Sequence, residues 1–334
     1  MPLSAIFSIR VRLSKILFFP VLFMRIYLGV RASRLIYCWL RLELNMLRVL
    51  PMIVMGDSLA APRGGLKYFL IQACGSRIFL FRVLYRSRGR AVALLTSLAL
   101  GLKLGVAPMH LWFIRVLRYR SYEVLVLLST VQKILPLYLL SLTPRVALKV
   151  VLSGVRALVG AWGVYRRRII TTILGFSSVF LGAWLLAGSL LTTEAWVLYL
   201  TLYRRGLIRI VIILDWNRVI TVNQLQSGTI QGSGEWSFYL TLFFLAGLPP
   251  MAPFWAKLNI LVWLVGGGQA TLASVLLLGS VWLIYLYIRI GLFTITGART
   301  QRVGLAGLKE GQSKARAILL LSLRLALIFA LLGL

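Results

Sequence analysis

An all-α, polytopic transmembrane helix bundle is the fold class this sequence predicts, and three observations predict it. Of the 334 residues, 60% are hydrophobic, and mean hydropathy is +0.90. Only 13% are charged, against roughly 25% in a soluble domain. Apolar runs recur from end to end, many near the ~20 residues that cross a bilayer as a helix. They are long and continuous, as in AVALLTSLALGLKLGVAPMHLWFI (91–114). A transmembrane barrel shows alternating segments of ~10 residues instead.

Taken in order, the runs give ten or eleven spans: roughly 12–30, 34–55, 66–86, 91–114, 122–142, 145–165, 169–190, 194–214, 236–265 (or two short pieces), 271–293 and 315–333. Three polar stretches read as loops, at 56–65, 215–235 and 296–315, because they carry the Gly, Ser, Asn and Gln of solvated connections. The basic N-terminus lacks a small-residue cleavage signature, so the first run reads as leading into the next span. One transmembrane domain over 1–334 is expected, with no soluble catalytic module. Cys38 and Cys74 both fall inside apolar runs and read as small buried hydrophobes.

Two of these spans are interrupted. LGLKLGVAPMHLW places Gly105 and Pro108 inside one, and LAGLPPMAPFWAKL places Pro249, Pro250 and Pro253 inside another. Proline lacks the backbone donor that continues a helix. Broken backbone is not tolerated against lipid, so these breaks must face protein or a hydrated interior. Transporters place ion sites at such discontinuous helices.

Charge is the anomaly. The formal net charge is +31, from 38 basic and seven acidic residues. Such an excess ordinarily points to nucleic acid or anionic lipid. Here the arginines are scattered among Leu, Ile and Val, as in YRRGLIRIVII, with no soluble basic face; nucleic acid is therefore excluded and the lipid bilayer is the expected partner. A voltage sensor would repeat arginine every third residue along one helix, and no sustained repeat of that kind occurs.

Glu43, Lys103, Lys133 and Lys257 lie well inside apolar spans. A charge at mid-bilayer costs ~2.5–3.5 kcal/mol on insertion scales, and the default reading is an ion or proton path. The bland alternative is a lysine that snorkels to the headgroups; Lys67 and Lys149, nearer span ends, read that way. His110, the only histidine, is either a proton shuttle at the Pro108 break or a packed, hydrogen-bonded side chain. Asn45 and Gln132 sit beside Glu43 and Lys133 in sequence, as tuning groups or interhelix hydrogen bonds. Trp112, Trp196 and Trp236 read as interface anchors.

Six stretches carry a family resemblance: WLRLELNMLRVLPMI, LKYFLIQACGS, LKLGVAPMHLWF, STVQKILPLYLL, LGFSSVFLGAW and LAGLPPMAPFWAKL. In this order, over residues 34 to about 260, they resemble the subunit 2 family of mitochondrial NADH:ubiquinone oxidoreductase (respiratory complex I). The resemblance implies an antiporter-like, proton-translocating core subunit in the mitochondrial inner membrane, with other membrane subunits of complex I as partners. It implies no cofactor on this chain, with NAD, FMN, iron–sulfur clusters and ubiquinone served by partner subunits. Its charged axis carries over to Glu43, Lys103, Lys133 and Lys257, the residues that burial cost had already singled out. Withdrawing Glu43 would lower the proton affinity of Lys103. The rival readings are a cation/proton antiporter subunit of related fold and a non-catalytic membrane scaffold. Departures are Leu181 where the family carries His, Pro253 where it carries Gly, and Arg115 after the H-x-W motif.

Arg41 and Arg48 fall where the family has small residues; Arg77, Arg82, Arg118 and Arg120 fall where Gly or Ser is ordinary. Arginine cannot replace a residue that lets helix backbones meet. Some animal mitochondrial codes read AGA and AGG as Ser or Gly, so many of these arginines are expected to stand for Ser or Gly. Only eight of the 38 basic residues are lysine. Without the arginines the eight lysines would nearly balance the seven acids.

Overall fold

The structure, a computed structural model, describes residues 35–304 apart from 55–60, 85–89, 119–120, 144–145, 166, 228 and 231–232. The spans expected at 12–30 and 315–333 lie outside the described residues. Within them the chain is helical with one isolated bridge, Ile169 to Thr221. The reason is the solvent: hydrocarbon offers backbone groups no partner, so each span must close its hydrogen bonds on itself.

The chain divides into two compact units, 1–105 with 131–144 and 106–130 with 145–334. In the first, α1 (Leu35–Val54), α2 (Ala61–Leu84), α3 (Arg90–Leu104) and α6 (Gln132–Ser141) pack together, α2 touching α1 and α3, and α6 touching α3 and α1. The buried residues of α1, among them Cys38, Leu42, Asn45, Met46, Val49 and Ile53, recur at helical spacing. Gly64, Gly65, Gly75 and Ser76 are buried on α2, the small-residue face that lets membrane helices approach. Helix α3 stops at Gly105, whose φ of +64° is the left-handed conformation glycine adopts at little cost.

The second unit holds α4 (Leu111–Leu117), α5 (Tyr122–Val126), α7 (Val146–Gly163), α8 (Ile170–Gly188), α9 (Thr193–Trp216), α10 (Val222–Gln226), α11 (Ser233–Ala246), α12 (Ala252–Gly266) and α13 (Ala270–Gly304). A π-helical turn, Leu127–Val131, joins α5 to α6. Every residue of α8 is buried, and α4, α5, α7, α9, α12 and α13 all touch it. A helix apolar all round must sit this way. Helix α7 reaches it closely: a Cβ on Gly160 would stand 2.5 Å from the Phe180 nitrogen.

The expected interruptions are present. The span at 91–114 breaks between Leu104 and Leu111, and the span at 236–265 divides into α11 and α12 around Pro249 and Pro250. Pro253 departs from expectation: it begins α12 rather than breaking a helix, as a first-turn proline has no intrahelical bond to lose. Pro51 and Pro136 lie inside helices.

The loop readings need correction. Residues 61–65 already belong to α2, because Gly64 and Gly65 serve as packing surface. The stretch 215–235 contains α10, capped by Thr221 and Gln224, and the last helix runs on to Gly304. Cys38 is buried, whereas Cys74 is exposed on α2.

Candidate functional site

Lysines lie at helix breaks in both units. In the first, Lys103 occupies the last turn of α3 and is 6% exposed. The end of a helix leaves carbonyls without intrahelical partners, and the negative end of the helix dipole favours a cation there. Gln72 on α2 donates to the Lys103 carbonyl oxygen at 3.1 Å. The amine Nζ donates to the Ser76 hydroxyl at 2.6 Å. Close approach makes this possible, since a Cβ on Gly75 would meet Lys103 Cγ at 3.0 Å. Glu43 on α1 is half-buried and acts on Lys103 electrostatically; its Oε2 has no hydrogen-bond partner.

Lys133 lies just after the π-helical turn and is buried at 3% exposure. Irregular turns of this kind occur often at functional positions. Its neighbour Gln132 accepts a hydrogen bond from Asn45 Nδ2 at 3.2 Å. This hydrogen bond ties α1 to α6.

In the second unit, Lys257 projects from α12 onto the broken end of α11. Its Nζ donates to the Ala246 carbonyl oxygen at 2.6 Å, one of the orphan carbonyls at that helix terminus. Gly247, at φ +70°, turns the chain there, and Leu248 N–H closes back on the Phe243 carbonyl at 3.3 Å, a Schellman-type cap. A Cβ on Gly247 would stand 2.9 Å from Nζ, so glycine also makes room for the amine. Nζ lies 5.6 Å from the Trp184 ring centroid, within cation–π range.

Beside the amine is a cavity of about 10 Å³, with Ser177, Tyr199, Tyr203 and Tyr287 as its hydroxyl-bearing wall. No sequence reasoning picked out these tyrosines. Tyr199 and Tyr203 are four residues apart on α9, a one-face spacing, but only the packing of α8, α11, α12 and α13 around it decides that this face is buried. Ser76 and Gln72 were missed for the same reason, although both lie in a stretch quoted above.

His110 is buried at the start of α4, its ring 6.0 Å from that of Phe176, and its Nδ1 has no hydrogen-bond partner. Pro108 stands exposed in the break before it, and Pro249 and Pro250 are exposed in theirs.

Three expectations are overturned by burial. Lys149 is 5% exposed and so does not snorkel; it lies on the protein-facing side of α7. Trp112 and Trp196 are 6% and 2% exposed: the faces of α4 and α9 that carry them turn inward, and of the three expected anchors Trp236 alone is exposed. Arg156, not singled out before, is 1% exposed, its Nε donating to the Val179 carbonyl at 2.8 Å. It fits because Gly182 lies opposite, where a Cβ would stand 2.1 Å from the guanidinium carbon.

Among the other arginines, Arg41 and Arg48 are half-buried and Arg77 and Arg118 are exposed. Arg82 donates to the Thr96 hydroxyl at 2.9 Å, and Arg120 lies outside the described residues. The Arg41 Nη1 nitrogen is buried without a hydrogen-bond partner.

A multi-pass helical membrane protein with discontinuous helices, of the antiporter-like type, is the class this arrangement defines. A profile described as "NADH:quinone oxidoreductase/Mrp antiporter, TM" matches residues 32–283, and the chain belongs to that family. It is similar to NADH-ubiquinone oxidoreductase chain 2 of Xenopus laevis, 27% identical over 325 residues that make up 90% of this chain and 91% of the relative. The chain 2 of Strongylocentrotus purpuratus is 29% identical over 273 residues, 77% of each chain. Among solved structures, a chain of the Thermus thermophilus respiratory complex I with bound aureothin superposes with a TM-score of 0.72 at 20% identity, covering 83% of this chain and 70% of that one. A chain of the Mrp complex from Dietzia does so with a TM-score of 0.72 at 20% identity, covering 84% and 60%.

Proposed function

We propose that this chain is a core membrane subunit of respiratory complex I in the mitochondrial inner membrane, and that it translocates protons through Glu43, Lys103, Lys133 and Lys257. The observation that carries the reading is the placing of ionisable side chains at helix breaks. Lys103 and Lys257 are each buried, and each is held at the carbonyl end of an interrupted helix. Ionisable side chains in apolar spans carry an insertion cost on the order of 2.5–3.5 kcal/mol each, and a transport role accounts for keeping them.

Partner subunits would carry NADH, FMN, the iron–sulfur clusters and ubiquinone. The redox reaction there would drive this chain through changes in the protonation of its lysines. Glu43 would act as the modulator, since a carboxylate nearby favours the charged lysine and its withdrawal favours proton release. His110, Asn45 and Gln132 are auxiliary groups in this scheme.

The test is a proton-to-electron ratio measured on the assembled complex in proteoliposomes. Lys103→Met and Glu43→Gln should leave NADH:ubiquinone chemistry assembled while lowering the ratio. An unchanged ratio in both variants overturns the reading and favours a scaffold. The likeness to an Mrp chain favours a second reading, a cation/proton antiporter subunit; it requires that the chain purify without redox partners. We also propose that Arg41, Arg48 and Arg82 stand for Ser or Gly. CGN codons at those positions would end that idea.

A further inference from the structure

We propose that the cavity beside Lys257 is a site for one water molecule, and that Tyr203 is the positioning residue that holds this water against the lysine. The inference rests on the proton-path reading above and adds a hydration site and a residue to it.

Volume comes first. The cavity offers about 10 Å³ to the centre of a water-sized sphere, close to the least that one water requires. Size alone does not wet a cavity, since even a much larger apolar one stays dry. This wall is polar on one side, where Lys257, Ser177, Tyr199, Tyr203 and Tyr287 meet it. A buried water needs two to four polar partners, and these residues supply them.

The partners also have capacity left. A lysine ammonium has three N–H donors, and one is used on the Ala246 carbonyl. The Tyr203 hydroxyl is buried, with the residue 6% exposed. It lies beside the Ser177 and Ser178 hydroxyls without closing a well-formed hydrogen bond to either. Ser177 already donates to the Leu174 carbonyl at 2.8 Å, so its oxygen faces its neighbours as an acceptor. The Tyr287 phenol stands beside Ser177 as well, and all three phenols line the same cavity. A buried hydroxyl with no partner costs about 1–3 kcal/mol. One water accepting from Lys257 and bonding Tyr203 removes that cost and gives the amine a mobile neighbour. Proton exchange at Lys257 then needs no movement of the α11–α12 break.

The experiment uses the intact complex, with two readouts on three variants: Tyr203→Phe, Lys257→Met and Tyr285→Phe. Tyr285 is exposed on α13 and does not line the cavity, so it controls for loss of a phenol elsewhere. The first readout is density in the cavity, at a resolution where ordered waters are visible. The second is the proton-to-electron ratio. Expected is a single water peak in the wild type, lost in Tyr203→Phe, with the ratio lowered toward that of Lys257→Met and unchanged in Tyr285→Phe. A dry cavity in the wild type, or a Tyr203→Phe variant with wild-type ratio while Lys257→Met is impaired, overturns the water site alone. A wild-type ratio in Lys257→Met overturns its use for proton transfer and the role of this lysine beneath it.

Discussion

Lys103 and Lys257 solve one problem by different means. Both are buried cations beside a left-handed glycine, Gly105 at φ +64° and Gly247 at +70°, where a helix stops. Lys103 lies in the last turn of its own broken helix, with a hydroxyl, Ser76, on its amine and a carboxylate, Glu43, acting on it. Lys257 comes from the next helix and meets the broken end from outside. Around it are a carbonyl, an indole face and a wall of hydroxyls. Neutral dipoles can solvate a buried cation only if they are fixed in place, whereas a carboxylate compensates charge from a distance. On the proposed proton path, moving Glu43 would therefore control the first site, and the proposed water in its cavity would control the second.

The largest test of that difference is a pair of double variants. Glu43→Gln should lower the proton-to-electron ratio through Lys103, so Glu43→Gln with Lys103→Met should lose little beyond Lys103→Met alone. Glu43→Gln with Lys257→Met should lose more than either single variant. Groups that share an interaction depart from additivity, and separate ones do not. Equal losses from the two doubles would break the comparison.

Ser76→Ala comes next. It leaves a buried amine donor without the hydroxyl, at a cost of about 1–3 kcal/mol, readable as lowered thermal stability of the purified complex. Gly247→Ala follows, at about 1–2 kcal/mol for forcing an L-residue into the left-handed region. Its methyl also crowds the Lys257 amine, so the proton-to-electron ratio should fall with stability. Lys67→Gln should change both readouts least: Lys67 is exposed on α2, and surface changes usually stay within about 0.5 kcal/mol. A strong Lys67→Gln defect would show that exposure on this chain hides a site completed by a partner subunit.

Much of this was legible in the residues. Continuous apolar runs foretold α1, α2 and α7 to α9, and Gly105 with Pro108, and Pro249 with Pro250, foretold both interruptions. Glu43, Lys103, Lys133 and Lys257 stood out because charge in an apolar run is costly wherever the run folds. Lys149 did not stand out, because its nearness to a span end said nothing of which side of α7 meets α8. Arg156 is unmarked in the sequence, one arginine among many in apolar runs; only Gly182, opposite it in the fold, sets it apart.

The sequence alone settles the quantities that follow from local chemistry: helix against strand, where a helix must stop, and which side chains are expensive in hydrocarbon. Tertiary packing alone decides which faces meet. It puts Ser76 against the Lys103 amine, turns Lys149 inward, and gathers Tyr199, Tyr203 and Tyr287 from two helices around a single small cavity. The physical reason is that backbone hydrogen bonding and transfer cost act along a few consecutive residues, whereas burial is set by neighbours that lie far away in the chain.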